Sequence, residues 1–223
     1  MLAMLRTIWQ ADSAFPSGAF AFSYGVEWMI ALQPEMSLRD FEQLIVAMLR
    51  QRWATYDRIA LLRAFRAHGD LVAIAAVDRD VEASIMIEAF RRGSCRHGAS
   101  FLASHARLGE PLALALRGAV NRGECLGHIA VMQGAVWSAL GLDEQHTQLC
   151  SGYTTVAGLI TAAVRLGTIG ALQGQGVLQR LLPLIEELAL CTPPAELEME
   201  SFMPVLDIAA ARHAQADLRL FAN

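Results

Sequence analysis

The chain has 223 residues, 54% of them hydrophobic and 18% charged, with a net charge of −4. A chain this apolar can bury a sizeable core, which excludes disorder, and so slight an acidic balance offers neither the basic footprint of a nucleic-acid binder nor a polybasic membrane patch. All 18 basic residues are arginine, which excludes a P-loop NTPase, whose lysine binds the terminal phosphates, and any lysine Schiff-base chemistry.

The start, MLAMLRTIWQADSAF, is broken by Arg6 and Asp12 and does not read as a signal peptide; a first helix is expected from about Leu2 to Gln10. After a turn at Asp12–Gly18, the stretch PSGAFAFSYGVEW is expected to begin a second helix with Ser17 as its N-cap. At 100° per residue, Phe22, Val26, Met29 and Ile30 share one face of that helix. Phe20, Tyr24, Glu27, Trp28 and Ala31 share the other, so one face can pack inward and the other meet a partner. SLRDFEQLIVAML opens a longer helix, with Ser37 and Asp40 spaced as a capping box and Gly69 as its stop. A helix is expected over Asp80–Arg107, then one with Pro111 at its first position. Further helices are expected near 111–121, 124–140, 143–169, 174–191 and 204–221. Short connections favour one compact bundle over two domains: an all-α fold of about eight to ten helices, with 1–223 as a single domain.

Chemistry-bearing residues do not fall into known spacings. Cys95, Cys125, Cys150 and Cys191 form no CxxC pair, and the histidines show neither HxH nor HExxH, so no protein-held metal site is visible. There is no GxSxG elbow and no nucleotide fingerprint. FRRGSCRHG gathers Arg91, Arg92, Arg96 and His97, either a solvated helix face or an anion site. No apolar stretch reaches the ~18 residues of a membrane span, and a soluble cytoplasmic protein is expected. On the helix near 143–169, Leu149, Tyr153, Val156, Ile160, Ala163 and Val164 form a core stripe. Thr154, Gly158, Thr161 and Arg165 form a small, polar opposite face, with Gly167 and Gly170 at the helix end. The tail ARHAQADLRLFAN carries Leu218, Leu220 and Phe221, which either fold back or dock on another chain.

Three of these stretches carry a resemblance. Phe15, Pro16, Gly18, Phe20, Phe22, Ser23, Gly25, Val26 and Glu27 resemble the N-terminal pattern of the UreF urease accessory family, Leu-Pro-x-Gly-x-Phe-x-Tyr-Ser-x-Gly-Leu-Glu. AVRLGTIG is similar to its Ala-x-Arg-Leu-Gly-x-x-Gly segment through Arg165, Leu166, Gly167 and Gly170, with Gln175 keeping a glutamine beyond. The tail is similar to its Arg-His-Glu…Arg-Leu-Phe ending through Arg212, His213, Arg219, Leu220 and Phe221. The chain departs from the family at Asp12 and Ser13, Ala171, Ala214, Asp217 and Leu218. The resemblance implies an all-helical, non-enzymatic protein with no cofactor of its own. It also implies a complex with a UreD/UreH-type protein and the UreG GTPase, delivery of nickel to apo-urease, regulation of GTP hydrolysis, and a homodimer. The residues implied at partner surfaces are Phe20, Tyr24, Glu27 and Trp28, the segment Arg165–Gly170, Gln175, and the tail. Two alternatives stay open: a UreF-like adaptor outside urease maturation, and an enzyme with an unrecognised Cys/His site.

Overall fold

The computed structural model describes residues 1–191 and 198–213, the last three by their backbone alone. Within them the chain is helical, with no strand. The helices are α1 (Leu2–Ala11), α2 (Val26–Leu32), α3 (Leu38–Met48), α4 (Arg58–Arg66), α5 (Leu71–Ser84), α6 (Glu88–Arg107), α7 (Pro111–Asn121), α8 (Ile129–Ala139), α9 (Glu144–Arg165), α10 (Ala171–Leu190) and α11 (Pro204–His213). A π-helical stretch, Leu49–Asp57, joins α3 to α4 in one unbroken rod, so the described residues make ten rods, as the all-α expectation required.

Local chemistry sets most helix starts. Ser37 Oγ accepts the Asp40 N–H at 3.2 Å while the Asp40 carboxylate accepts the Ser37 N–H at 3.1 Å, closing the expected capping box. Asp70 caps α5 through the N–H groups of Val72 and Ala73. Asp143 accepts the His146 N–H at 2.8 Å at the start of α9, and Pro111 follows the cap Glu110 at the start of α7. At the far end of α10, the buried Arg58 donates to the carbonyls of Leu188 and Cys191, placing a guanidinium on otherwise unsatisfied C-terminal acceptors.

Several helix boundaries differ from expectation, and α5 begins at Leu71 where a helix was expected from Asp80. Asp80–Arg107 is not one helix: α5 ends at Ser84, Ile85 is extended, and α6 begins at Glu88. Ile85 lies in the second core described below, with Ile74, Val77 and Val81 of α5. The helix expected from residue 124 begins at Ile129, because 124–128 is a loop drawn onto a buried carboxylate.

Apolar side chains gather in two cores. The first joins Phe41, Ile45, Leu49 and Trp53 to Val156, Leu159, Val177 and Leu181, with Leu206 of α11. The second joins Leu61, Ile74, Phe101, Leu102, Leu116, Met132 and Trp137. Each large side chain so buried contributes ~1.5–3 kcal/mol. The rod α3–α4 passes from one core to the other within its π stretch, and α9 does the same between Cys150 and Val156. The α4–α8 crossing is close: a Cβ on Gly134 would lie 2.1 Å from the Leu61 carbonyl oxygen. No helix of the described residues is long and apolar enough to cross a membrane.

Candidate functional site

The stretch from Pro16 to Trp28 does not form one helix. Ser17 Oγ accepts the Ala19 N–H and starts a single 3₁₀ turn at Ala19–Ala21; the chain then extends at Phe22 and restarts as α2 only at Val26. Gly18, Tyr24 and Gly25 have φ of +86°, +53° and +92°. Side chains rarely adopt that region, and a Cβ on Gly25 would also meet Leu206 at 2.5 Å. The expected two-faced wheel is therefore corrected. Trp28 is buried and packs on Phe90 with ring centroids 4.8 Å apart, and Glu27 is buried beside it. Tyr24 is half-buried, its ring against Gly158 of α9 and its hydroxyl 2.9 Å from His97 Nδ1. Burial of that hydroxyl holds it well above the usual tyrosine value. The small residue Gly158 thus accommodates a ring from its own chain.

Phe20 is the aromatic that faces out, 66% exposed. Arg165, in the last turn of α9, lies over it with its guanidinium carbon 3.7 Å from the ring centroid and donates to the Phe20 carbonyl. An exposed cation–π pair of this kind contributes ~0.5–1 kcal/mol. Two segments 145 residues apart are thereby joined. The turn beneath Arg165 is a Schellman motif: the Thr168 N–H bonds the Ala163 carbonyl, the Gly167 N–H bonds the Val164 carbonyl, and Gly167 has φ of +73°. Gly170 then caps α10, its N–H accepted by Gln173 at 2.8 Å. Leu166 is half-buried against the first core.

Phe20 and Arg165 line an open groove of about 1270 Å³ between α1, the 12–22 segment, α9 and α10. Thr154, Gly158, Thr161 and Arg165, the small polar face read from the sequence, all line it. Gln175 joins them from α10. Above the groove α1 presents Leu2, Leu5, Ile8 and Trp9, each at least 40% exposed. Apolar surface in such a run, beside a polar-rimmed concavity, is the usual composition of an interaction surface. Of the tail, Arg212 and His213 belong to the backbone of α11, and Arg219, Leu220 and Phe221 lie outside the described residues.

Beneath the groove is a cavity of about 130 Å³, lined by Phe22, Tyr24 and His97 and by Arg52, Trp53 and Asp57 of the π stretch. Arg52 Nε lies 3.3 Å from Asp57 Oδ2, and burial holds the Asp57 carboxyl above its ordinary value despite that partner. His97 stacks on Phe22 at 5.3 Å, and burial pushes its imidazole down to about 3, so it is neutral at physiological pH. The basic run around His97 is not a convergent anion site. Arg91 pairs with Glu82 at 3.4 Å, Arg92 pairs with Glu88 one turn away, and His97 points into the interior.

Sequence spacing gave no sign of two further clusters, since each is assembled from separate helices. Asp78 of α5, fully buried, accepts the N–H groups of Leu126, Gly127 and His128 at 2.5–2.9 Å and the Cys125 thiol at 3.0 Å. Glu82, Cys95 and His128, from α5, α6 and the cap of α8, bring ligand-type atoms within 4.8 Å of one another. No motif scan finds residues spaced 13 and 33 apart, but an acid one turn beyond Asp78 on the same helix was a usable hint.

Architecture and groove define an all-α protein with an open groove that carries a small polar face from α9. The UreF family model matches residues 37–182. The chain is 32% identical over 219 residues to a urease accessory protein UreF of Trichodesmium erythraeum, covering 96% of this chain and 94% of that protein. It is 33% identical over 220 residues to one of Cereibacter sphaeroides, covering 98% of each. It is 27% identical over 224 residues to one of Yersinia enterocolitica, covering 99% and 98%. The chain belongs to the UreF family.

Proposed function

We propose that this chain serves urease maturation as a non-catalytic, cytoplasmic helical scaffold. It binds a UreD/UreH-type protein and the UreG GTPase, as a homodimer, during nickel delivery to apo-urease, and it regulates GTP hydrolysis within that complex. The observation that carries the reading is the near full-length similarity to proteins named urease accessory protein UreF. The groove supports it: Phe20 and Arg165, with Leu166, Gly167, Gly170 and Gln175 around the α9–α10 turn, form a surface of aromatic and arginine character, the usual chemistry of interface anchors. Tyr24, Glu27 and Trp28 act in this scheme by holding the Phe20 turn in place. The tail residues Arg212, His213, Arg219, Leu220 and Phe221 dock on the UreD/UreH-type partner.

Co-purification with the cognate UreD/UreH and UreG proteins tests the reading. The full chain should form a complex at micromolar concentration. Phe20→Ala with Arg165→Ala should weaken it at least tenfold while changing stability by less than about 1 kcal/mol. No complex with the native chain removes the scaffold reading, and full binding by the double variant removes this surface from the contact.

A further inference from the structure

The cluster at Glu82, Cys95 and His128 has the composition of a transition-metal site. His128 is fully buried, its Nε2 lies 2.9 Å from Glu82 Oε2, and Cys95 Sγ lies 3.7 Å from both ring nitrogens. Metal–ligand bonds of ~2.0–2.3 Å place neighbouring ligand atoms ~3–3.7 Å apart, and the two measured separations fall at or just below that range. Burial, and after it Asp78 and Glu82, raise the Cys95 thiol, so an ion must displace its proton to gain the thiolate. Arg91 Nε, 3.4 Å from Glu82 Oε1, fixes the carboxylate from its other oxygen. Ser94 Oγ lies 3.1 Å from His128 Nδ1. That is the partner a ligating histidine needs on its second nitrogen. The Glu82 side chain is 38% exposed, which leaves an entry from solvent.

We propose that Glu82, Cys95 and His128 bind one divalent first-row transition ion of borderline softness, such as nickel or zinc, through carboxylate oxygen, thiolate sulfur and imidazole Nε2. A thiolate–imidazole–carboxylate set selects such ions over magnesium or calcium, and three protein ligands leave a coordination position open. Binding releases the Cys95 thiol proton to solvent. The imidazole proton resides on Nδ1, where Ser94 Oγ accepts it. Sγ is equidistant from the two ring nitrogens and so off the Nε2 lone-pair axis, and capture includes a rotation of the Cys95 side chain. The site stands apart from the groove, and the proposal does not depend on the urease reading.

Titrating Ni²⁺ into the full chain, followed by thiolate-to-nickel absorption and by calorimetry, tests it. One equivalent should bind with a thiolate band, Cys95→Ala should abolish the band, and Glu82→Gln should weaken binding by ~10-fold or more. Cys191→Ala, at the exposed cysteine, should leave it unchanged. A band that survives Cys95→Ala, or no band in the native chain, overturns the proposal. Should Cys95→Ala fail to fold, alkylation of the native chain decides: Zn²⁺ should slow modification of Cys95, read by peptide mass, at least tenfold, and an unchanged rate overturns the site.

Discussion

Replacing Asp78 by alanine removes the acceptor that holds the loop before α8. Its carboxylate takes three backbone N–H groups and a thiol, with Gly127 and His128 in buried surroundings and Leu126 partly so. Alanine leaves those donors with no acceptor. At ~1–3 kcal/mol for each buried donor orphaned, the two buried amides alone lose roughly 2–6 kcal/mol, a large part of the ~5–15 kcal/mol typical of a folded chain. Asp78→Asn separates the causes. Its amide oxygen can replace Oδ2, which serves Leu126, Gly127 and Cys125, but its NH₂ then faces the His128 N–H, so about half the loss is expected. Equilibrium urea unfolding followed by circular dichroism measures all three proteins. A loss below about 1 kcal/mol for Asp78→Ala, or equal losses for the two variants, would refute the assignment of this carboxylate as the loop's acceptor.

Two further outcomes follow from geometry and charge. Gly167→Ala should cost about 1–2 kcal/mol through backbone strain alone, because φ is +73° and a Cβ there meets nothing within 4 Å; an unchanged urea midpoint would contradict the Schellman assignment. Burial lowers His97 to about 3 and His105 to about 4. Against an unfolded histidine near ~6.5, the unfolded chain binds more protons between those values. The two histidines therefore contribute stability that is whole above pH ~6.5 and is lost progressively as pH falls toward ~4. Urea midpoints at pH 7 and pH 5 check this, and equal midpoints would count against both buried histidines.

What the sequence made legible was chemistry that acts within a few residues. Ser37 with Asp40, Pro111 and the glycine after α9 announce helix ends because capping and φ preference are local. The amphipathic stripe of α9 was legible too, and its polar face lines the groove. The break at Ile85 was hidden because no Gly or Pro marks it, and Ile74, Asp78, Val81 and Ile85 keep helical spacing straight through it. The 16–28 stretch misled for a similar reason. Its aromatics fit a helical wheel, but Tyr24 accepts a positive φ to reach His97, 73 residues away, and that bond is invisible in a window of twelve. The pairing of Phe20 with Arg165, the Asp78 nest and the Glu82–Cys95–His128 cluster are all tertiary and leave no periodic trace.

The two cores differ in how the chain must travel to build them. The buried residues of the second all fall within 56–150, with Ala11 and Met199 packed against them, so most of its helices are sequence neighbours. The first waits for α9, α10 and α11 to return to α2 and α3, a closure across more than a hundred residues. Loops of that length form late, since their entropy is lost before any contact offsets it. As the chain emerges from the ribosome, the half holding Glu82, Cys95 and His128 can be complete while the residues that close the groove are still being made. The Glu82–Cys95–His128 cluster and the groove are thus separated in expected time of assembly as well as in space.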